Sequence, residues 1–194
     1  DSLKAVDYPG LTTIVVDNGS TDGLAQIVRD QYPQVELIVS PDNLGFVGGN
    51  NLGIARAVEM GVDFVLLLNN DTEVAPDFLR PLVEAARGSR VGIVGPLIYY
   101  HGEPQRIWSA GGRVDRARGD AIALGEDAMD EGQFGETPYA VDYVSGCALM
   151  IRRDALNEVG TLDPRFFAYY EEVEWCVRTG RAGYQVLVVP QSHV

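Results

Sequence analysis

The chain has 194 residues, enough for one domain with a sizeable core, and an ordinary globular balance of 46% hydrophobic and 22% charged residues. Its net charge of −13 argues against nucleic acid as a partner and against broad electrostatic attachment to anionic lipid, since both rely on Lys and Arg. That charge leaves room for a local phosphate site made of backbone N–H groups and a metal ion.

The first half alternates strand and helix. Thr12–Asp17 reads as an apolar strand, and Ser20, Thr21 and Asp22 offer caps to a helix through Tyr32. Val35–Val39 is the second strand and Pro41–Gly49 a loop. A helix through Met60 follows, with Gly61 as its cap. Asp63–Leu68 is the third strand, Pro76–Arg87 a helix opened by Pro, and Val91–Val94 a fourth strand. This alternation predicts a parallel, doubly wound sheet.

The second half differs. Residues 100–140 read as a long surface insertion with short strands around Trp108 and Ala121–Leu124. Low apolar content with clustered acids and glycines predicts a mobile segment over Asp127–Pro138. Tyr139–Ile151 returns to strand, Arg153–Val159 forms a short helix, Glu171–Ala182 a longer one, and Tyr184–Val189 a last strand. There is no internal repeat. No apolar run reaches the roughly 18 residues of a spanning helix. No signal peptide is read, so the expected location is the cytoplasm, free or peripheral at the inner face of the membrane. Cys147 and Cys176 are expected as buried free thiols.

The most informative stretch is Val65–Leu66–Leu67–Leu68–Asn69–Asn70–Asp71–Thr72. An apolar run buried on both faces breaks into amides and a carboxylate at the strand's C-terminal end, where open α/β sheets bind ligands. Asp71 is a hard oxygen ligand of the kind Mg²⁺ or Mn²⁺ takes beside phosphates. A simple turn capping the next helix explains the same residues.

Asp17–Gly23 repeats that placement after the first strand. Ser20–Gly23 suits an Asx turn and cap, whereas Asp17 and Asn18 come too early for that and could meet a base edge. Asn43–Asn51, with Gly45, Gly48 and Gly49, is a Gly-rich loop running into a helix, a weak phosphate signal by itself. Phe166–Trp175 sets aromatics before Glu171, Glu172 and Glu174 at a helix N-terminus. The dipole there is sufficient structural reason for the acids, and the same place suits a shielded general base. Glu171 and Glu174 are three apart and expected on one face, with Glu172 pointing elsewhere. His193 follows the last strand, again at a C-terminal end.

In order and spacing these motifs resemble the family 2 glycosyltransferases of the GT-A fold. The residues that carry the likeness are Val15–Asp22, Asn43–Phe46 with Gly48–Asn50, Leu67–Thr72, Val144–Ala148, Phe167–Arg178 and Pro190–His193. The Asn-Asn-Asp triplet and the Gly-Phe-x-Gly-Gly-Asn loop look most like the bacterial rhamnosyltransferase-type branch. The resemblance implies an α/β, Rossmann-like, mostly parallel sheet flanked by helices, with a small antiparallel addition in the second half. One catalytic domain over 1–194 is implied, with 1–98 as the nucleotide-sugar half and 99–194 as the acceptor-side half.

The same likeness assigns residues. Asp17 and Asn18 would contact the base. Asn43, Gly45, Gly48 and Asn50 would line the donor pocket with Asn69, Asn70 and Gly146. Asp71 and His193 would hold Mg²⁺ or Mn²⁺, and Glu172 would be the catalytic base. The implied reaction is inverting transfer of a sugar, rhamnose by the branch, from a nucleotide diphosphate to a hydroxyl of a cell-surface glycan or lipid-linked acceptor. Three departures stand out: the metal triplet keeps one carboxylate, the base position holds Glu where the family has Asp, and both ends of the chain fall inside the family's expected span, which implies a fragment. Two other readings share such a sheet. A nucleotidylyltransferase would want a Gly-rich, Lys/Arg-bearing first turn, which Gly19–Gly23 lacks. An inactive sugar-nucleotide-binding domain would release no nucleoside diphosphate.

Overall fold

The computed structural model describes residues 1–194. Strand β1 (Ile14–Asn18) pairs in parallel with β2 (Glu36–Ser40), the two joined through α1 (Leu24–Gln31). Helix α2 (Gly45–Glu59) then packs across β1, β2 and β3 (Phe64–Leu68). After α3 (Leu79–Ala86) come β4 (Val91–Tyr100), its antiparallel partner β5 (Glu103–Ser109), and a two-stranded ribbon of β6 (Gly112–Asp115) and β7 (Asp120–Ala123). The chain finishes with β8 (Tyr139–Ala140), β9 (Ala148–Arg152), α4 (Arg153–Val159), α5 (Glu171–Arg181) and β10 (Gln185–His193).

The larger sheet has the order β3-β9-β4-β10-β8, with β5 attached to β4. Strands β4 and β10 are parallel, and β9 runs antiparallel between β3 and β4. Therefore β3, β4 and β10 all end on one edge, and β9 begins there, with Ala148 opposite Leu68. This is the mostly parallel, helix-flanked sheet with an antiparallel addition that the sequence suggested.

Both faces of that sheet are apolar, so each needs a cover. Val47 and Ile54 of α2, Leu156 of α4 and Trp175 and Cys176 of α5 bury one face, with Val65, Leu67 and Ile151. Phe78 with Leu82 and Val83 of α3 buries the other, against Val91, Val94 and Met150. Trp175 is wholly enclosed, and its indole N–H finds Gly160 O at 2.8 Å, which removes the cost of burying that donor. No helix is long and apolar enough to cross a membrane. Both cysteines are free thiols.

Several boundaries move for physical reasons. Helix α2 begins at Gly45, inside the expected loop. Gly48 and Gly49 serve close packing within it, since a Cβ would lie 2.5 Å from Leu44 Cβ at the first and 3.1 Å from Asn18 Nδ2 at the second. Strand β4 runs past Gly95 and Pro96 to Tyr100; Gly95 makes room for Val144, whose Cβ would be 2.7 Å from an added methyl, and does not mark a turn. The expected strand Tyr139–Ile151 is broken by a turn, where Ala148 N–H donates to Ser145 O at 3.3 Å.

The Asp127–Pro138 segment is not loose. Ile107 N–H donates to Ala128 O at 2.9 Å, and Asp130 N–H donates to Gln105 O at 2.7 Å. Tyr99 OH donates to Asp130 at 2.5 Å, and Asp127 accepts from Tyr100 OH and Arg106 at 2.9 and 2.8 Å. Its acids are anchors for groups on β4 and β5, and polarity alone concealed that.

Candidate active site

The C-terminal ends of β1, in the two-stranded sheet, and of β3, in the larger one, carry the polar motifs. Asp17 is 2% exposed. Its Oδ1 accepts from Ser20 N–H at 2.9 Å, and hydrogen bonding from Ser20, side chain first and then backbone, holds its carboxyl below the ordinary carboxylate range. The Asx turn therefore begins at Asp17, earlier than the sequence reading placed it. Asn18 clamps the next loop. Its Nδ2 donates to Gly45 O at 2.9 Å and Asn43 Oδ1 at 3.2 Å, and its Oδ1 accepts from Leu44 N–H at 3.0 Å. Asn43 Oδ1 also accepts from Gly45 N–H at 2.9 Å, while the Asn43 residue itself stays exposed. Asn50 turns back to donate to Phe46 O at 2.9 Å.

Gly45 sits at φ +71°, and a Cβ there would lie 2.6 Å from the Phe167 ring. This close approach requires glycine and joins the β1 side of the site to the aromatic segment before α5. Phe167, Tyr169 and Tyr170 are 64%, 83% and 54% exposed. Tyr169 and Tyr170 both hold left-handed backbone angles, φ 72° and 67°, which cost a bulky residue of order 1–3 kcal/mol each.

The β3 end is tied to the turn before β9: Asn69 N–H donates to Cys147 O at 2.9 Å. Asn70 and Asp71 project beyond it, both exposed. Burial first, then the Asp71 carboxylate, pushes the Cys147 thiol up to about 11, so Asp71 lies beside that turn. One residue earlier, Gly146 lies against Glu172, where a Cβ would stand 3.4 Å from the Glu172 Cβ. Asn69–Asp71, Gly146 and Glu172 thus share one stretch of this edge.

The three acids divide in an unexpected way. Glu174 turns to Arg178 at 2.8 Å, and Arg178 ties it to the carbonyls of Val159 and Thr161. Glu171 does not share that fate; it is 5% exposed. Glu171 and Glu172 each bury an Oε2 that has no hydrogen-bond partner. Burial raises both carboxyls above the ordinary range; for Glu172 the neighbouring Glu171 adds to this, against backbone N–H bonds that pull it down. Buried unpaired carboxylates are costly and mark sites where a proton is to be accepted. The sequence reading grouped Glu171 with Glu174 on one face, because helical spacing places a face but not its burial.

His193 stands further along the same edge. Its carbonyl accepts from Ala75 N–H at 3.2 Å, which links it to the segment after Asp71. Its Nε2 lies 2.9 Å from Pro190 O, and the ring meets Tyr99 edge-on at 5.5 Å. A carbonyl only accepts, so Nε2 carries the proton and, in the neutral ring, Nδ1 keeps its lone pair. No group of three or more His, Cys, Asp or Glu side chains converges in a way that would hold a metal ion by itself.

An α/β sheet with amides, a projecting carboxylate and a buried carboxylate along its C-terminal edge is the GT-A glycosyltransferase architecture. GalNAc-T7, solved with UDP, GalNAc and Mn2+, superposes over 94% of this chain and 37% of its own with a TM-score of 0.70 at 20% identity, a likeness of fold. The chain belongs to glycosyl transferase family 2, whose model matches residues 1–160. N-acetylglucosaminyl-diphospho-decaprenol L-rhamnosyltransferase of Mycobacterium tuberculosis is 31% identical over 210 residues, 100% of this chain and 68% of that protein. The dTDP-rhamnosyl transferase RfbF of Shigella flexneri is 23% identical over 177 residues, 91% and 56% respectively. The chain is rhamnosyltransferase-like within the family.

Proposed function

We propose that this chain catalyses inverting transfer of rhamnose from a nucleotide diphosphate donor to a hydroxyl of a lipid-linked or cell-surface glycan acceptor. The observation that carries the reading is the half-buried Glu172 carboxylate, one oxygen of it buried and unpartnered, against Gly146 next to the turn that Asn69 bonds. The two rhamnosyltransferase relatives support the sugar, and the mycobacterial relative's name supports a lipid-linked acceptor.

Asp17 offers its second carboxylate oxygen to the base, and Asn18 acts by holding Asn43 and Gly45 in place. Asn69, Asn70, Gly48 and Asn50 complete the donor side, and Gly146 lets the sugar pass close to the backbone. Residues 1–98 serve the donor and 99–194 the acceptor.

The residues fit a divalent ion. Mg²⁺ and Mn²⁺ accept one or two protein carboxylates together with substrate phosphate oxygens, so an exposed Asp71 suffices from the β3 side. His193 has Nε2–H fixed on a backbone carbonyl, the usual way a ligating imidazole is oriented, with Nδ1 available. Such an ion, held by Asp71 and His193, would neutralise charge on the departing nucleoside diphosphate. Glu172 takes the proton of the acceptor hydroxyl as its oxygen bonds to the anomeric carbon and the bond to the diphosphate breaks. One in-line displacement inverts the anomeric configuration.

The test is release of dTDP from dTDP-rhamnose with an N-acetylglucosaminyl diphosphate carrying an alkyl chain, in Mg²⁺ or Mn²⁺. Glu172→Gln should lower kcat by roughly 10²–10⁴, the usual share of a general base, with donor KM nearly unchanged. Near-normal turnover in Glu172→Gln with none in Glu171→Gln would move the base to Glu171.

A further inference from the structure

The Asp127–Pro138 segment borders an open cavity of about 470 Å³ over the ends of β4 and β10. That size is within the range of small-ligand sites. Its walls include Tyr99, Asp130, Phe134, Glu136, Gln191 and His193. Two of these are fixed by the fold. Asp130 accepts from Tyr99 OH and from Gly132 N–H, bonds that hold its carboxyl below the usual range; Phe134 stacks on Tyr139 at 5.7 Å and 17°. Glu136 and Gln191 are exposed and lie on the cavity wall.

The chemistry of this lining selects a ligand. Carboxylates line the cavity and Lys or Arg do not, so away from the cation proposed at His193 on its donor-side wall it holds nothing for a phosphate and suits a neutral group. Tyr99 and Phe134 contribute aromatic carbon to the wall, the kind of surface against which the C–H groups of a pyranose pack. The Glu136 carboxylate and Gln191 amide offer acceptors and donors to its hydroxyls. The cavity also adjoins the donor end of the site, because Ala75 N–H, four residues past Asp71, bonds His193 O.

We propose that this cavity is the subsite for a neutral sugar ring of the acceptor, with Glu136 and Gln191 as its polar contacts. The inference rests on the glycosyltransferase reading above and goes on to name where the acceptor ring sits.

The experiment measures dTDP release from dTDP-rhamnose, with and without N-acetylglucosaminyl diphosphate bearing a short alkyl chain, in the wild type, Glu136→Ala and Gln191→Ala. Both replaced side chains are exposed, so the fold is expected to survive, and thermal melts check this. Each variant should raise KM for the acceptor roughly tenfold, the size of one lost polar contact to a charged or amide group. Donor KM and acceptor-free donor hydrolysis should stay at wild-type values. Acceptor KM within about twofold of wild type in both variants overturns the subsite, since a tenfold change is 1.4 kcal/mol. A shift in donor KM instead assigns the cavity to the donor and overturns it too. An effect that appears only with a long alkyl chain means the cavity holds the lipid, which also overturns it. Absence of any dTDP release by the wild type, with or without acceptor, overturns the glycosyltransferase reading itself and the subsite with it. That outcome is distinct from the others because it appears in the unmutated protein.

Discussion

Glu172→Gln should make this protein more stable at neutral pH while removing its activity. Burial lifts the Glu172 carboxyl above its ordinary value, and the charge of Glu171 adds to the shift. A folded-state value raised above the unfolded one means that folding favours the protonated acid. The stability is therefore full below the unfolded value, about 4.3, and is lost as pH rises through the folded value. At pH 7.5 the ionised carboxylate, with one oxygen buried and unpartnered, is a cost. A buried polar atom left unpaired costs about 1–3 kcal/mol. Glu172 is only partly buried and the glutamine amide inherits some need for partners, so the lower end applies, roughly 1 kcal/mol. For a chain of this size that is a rise in Tm of about 2–4 °C. Thermal unfolding followed by circular dichroism from pH 4 to 8 reads it directly. The variant should gain over the wild type at pH 7.5, and the two should converge near pH 4. Wild-type kcat should fall as pH drops through the same raised value, because a protonated Glu172 cannot take the acceptor's proton. Equal melts at every pH, or a variant less stable at pH 7.5, would show that Glu172 is solvated or paired and would refute the buried-base argument.

Three further outcomes are expected. Asp71→Ala should abolish metal-dependent dTDP binding in calorimetry and leave the melt unchanged, because the side chain is exposed. Asn18→Asp replaces a donor with a carboxylate facing Asn43 Oδ1 and Gly45 O, so donor KM should rise while the acceptor KM holds; a cost of about 1–3 kcal/mol for unpaired acceptors should also lower Tm. Hydrogen exchange in the ligand-free protein should show protection at the Asp127 and Asp130 amides, which bond Ile107 O and Gln105 O; exchange at random-coil rates there would contradict the anchored loop.

What could be read from the sequence follows from what sequence records. The strand–helix alternation over 12–94 was legible because each strand is an apolar run and each helix has its own start and stop residues. The Asn69–Asp71 break was legible for the same reason: polarity at the end of a buried strand has few structural excuses. Gly61, with φ +75°, ended α2 as its type predicted. Residues whose meaning depends on distant partners were harder. Gly95 and Gly49 are contact points, since the group that fills their missing side chain, Val144 and Asn18 respectively, lies elsewhere in the chain. Asp127 and Asp130 looked like solvated loop acids, and their partners Tyr99, Tyr100 and Arg106 are more than twenty residues away.

The same limit explains the acids of α5. Helical periodicity separates Glu172 from its neighbours by about 100° and says nothing about which direction is wet. The fold decides that. Arg178 draws Glu174 aside, Trp175 and Cys176 set the buried stripe, and Glu172 lies against Gly146, next to the turn that Asn69 bonds. The glycine and the glutamate are in van der Waals contact although 26 positions separate them in the sequence. Most of the costly features of this chain gather near the start of α5: two carboxylates each with a buried unpaired oxygen, two left-handed tyrosines and three exposed aromatics. Strain and unpaired charge survive where they serve binding or proton transfer, and their concentration around Glu172 is the physical reason to look for the reaction there.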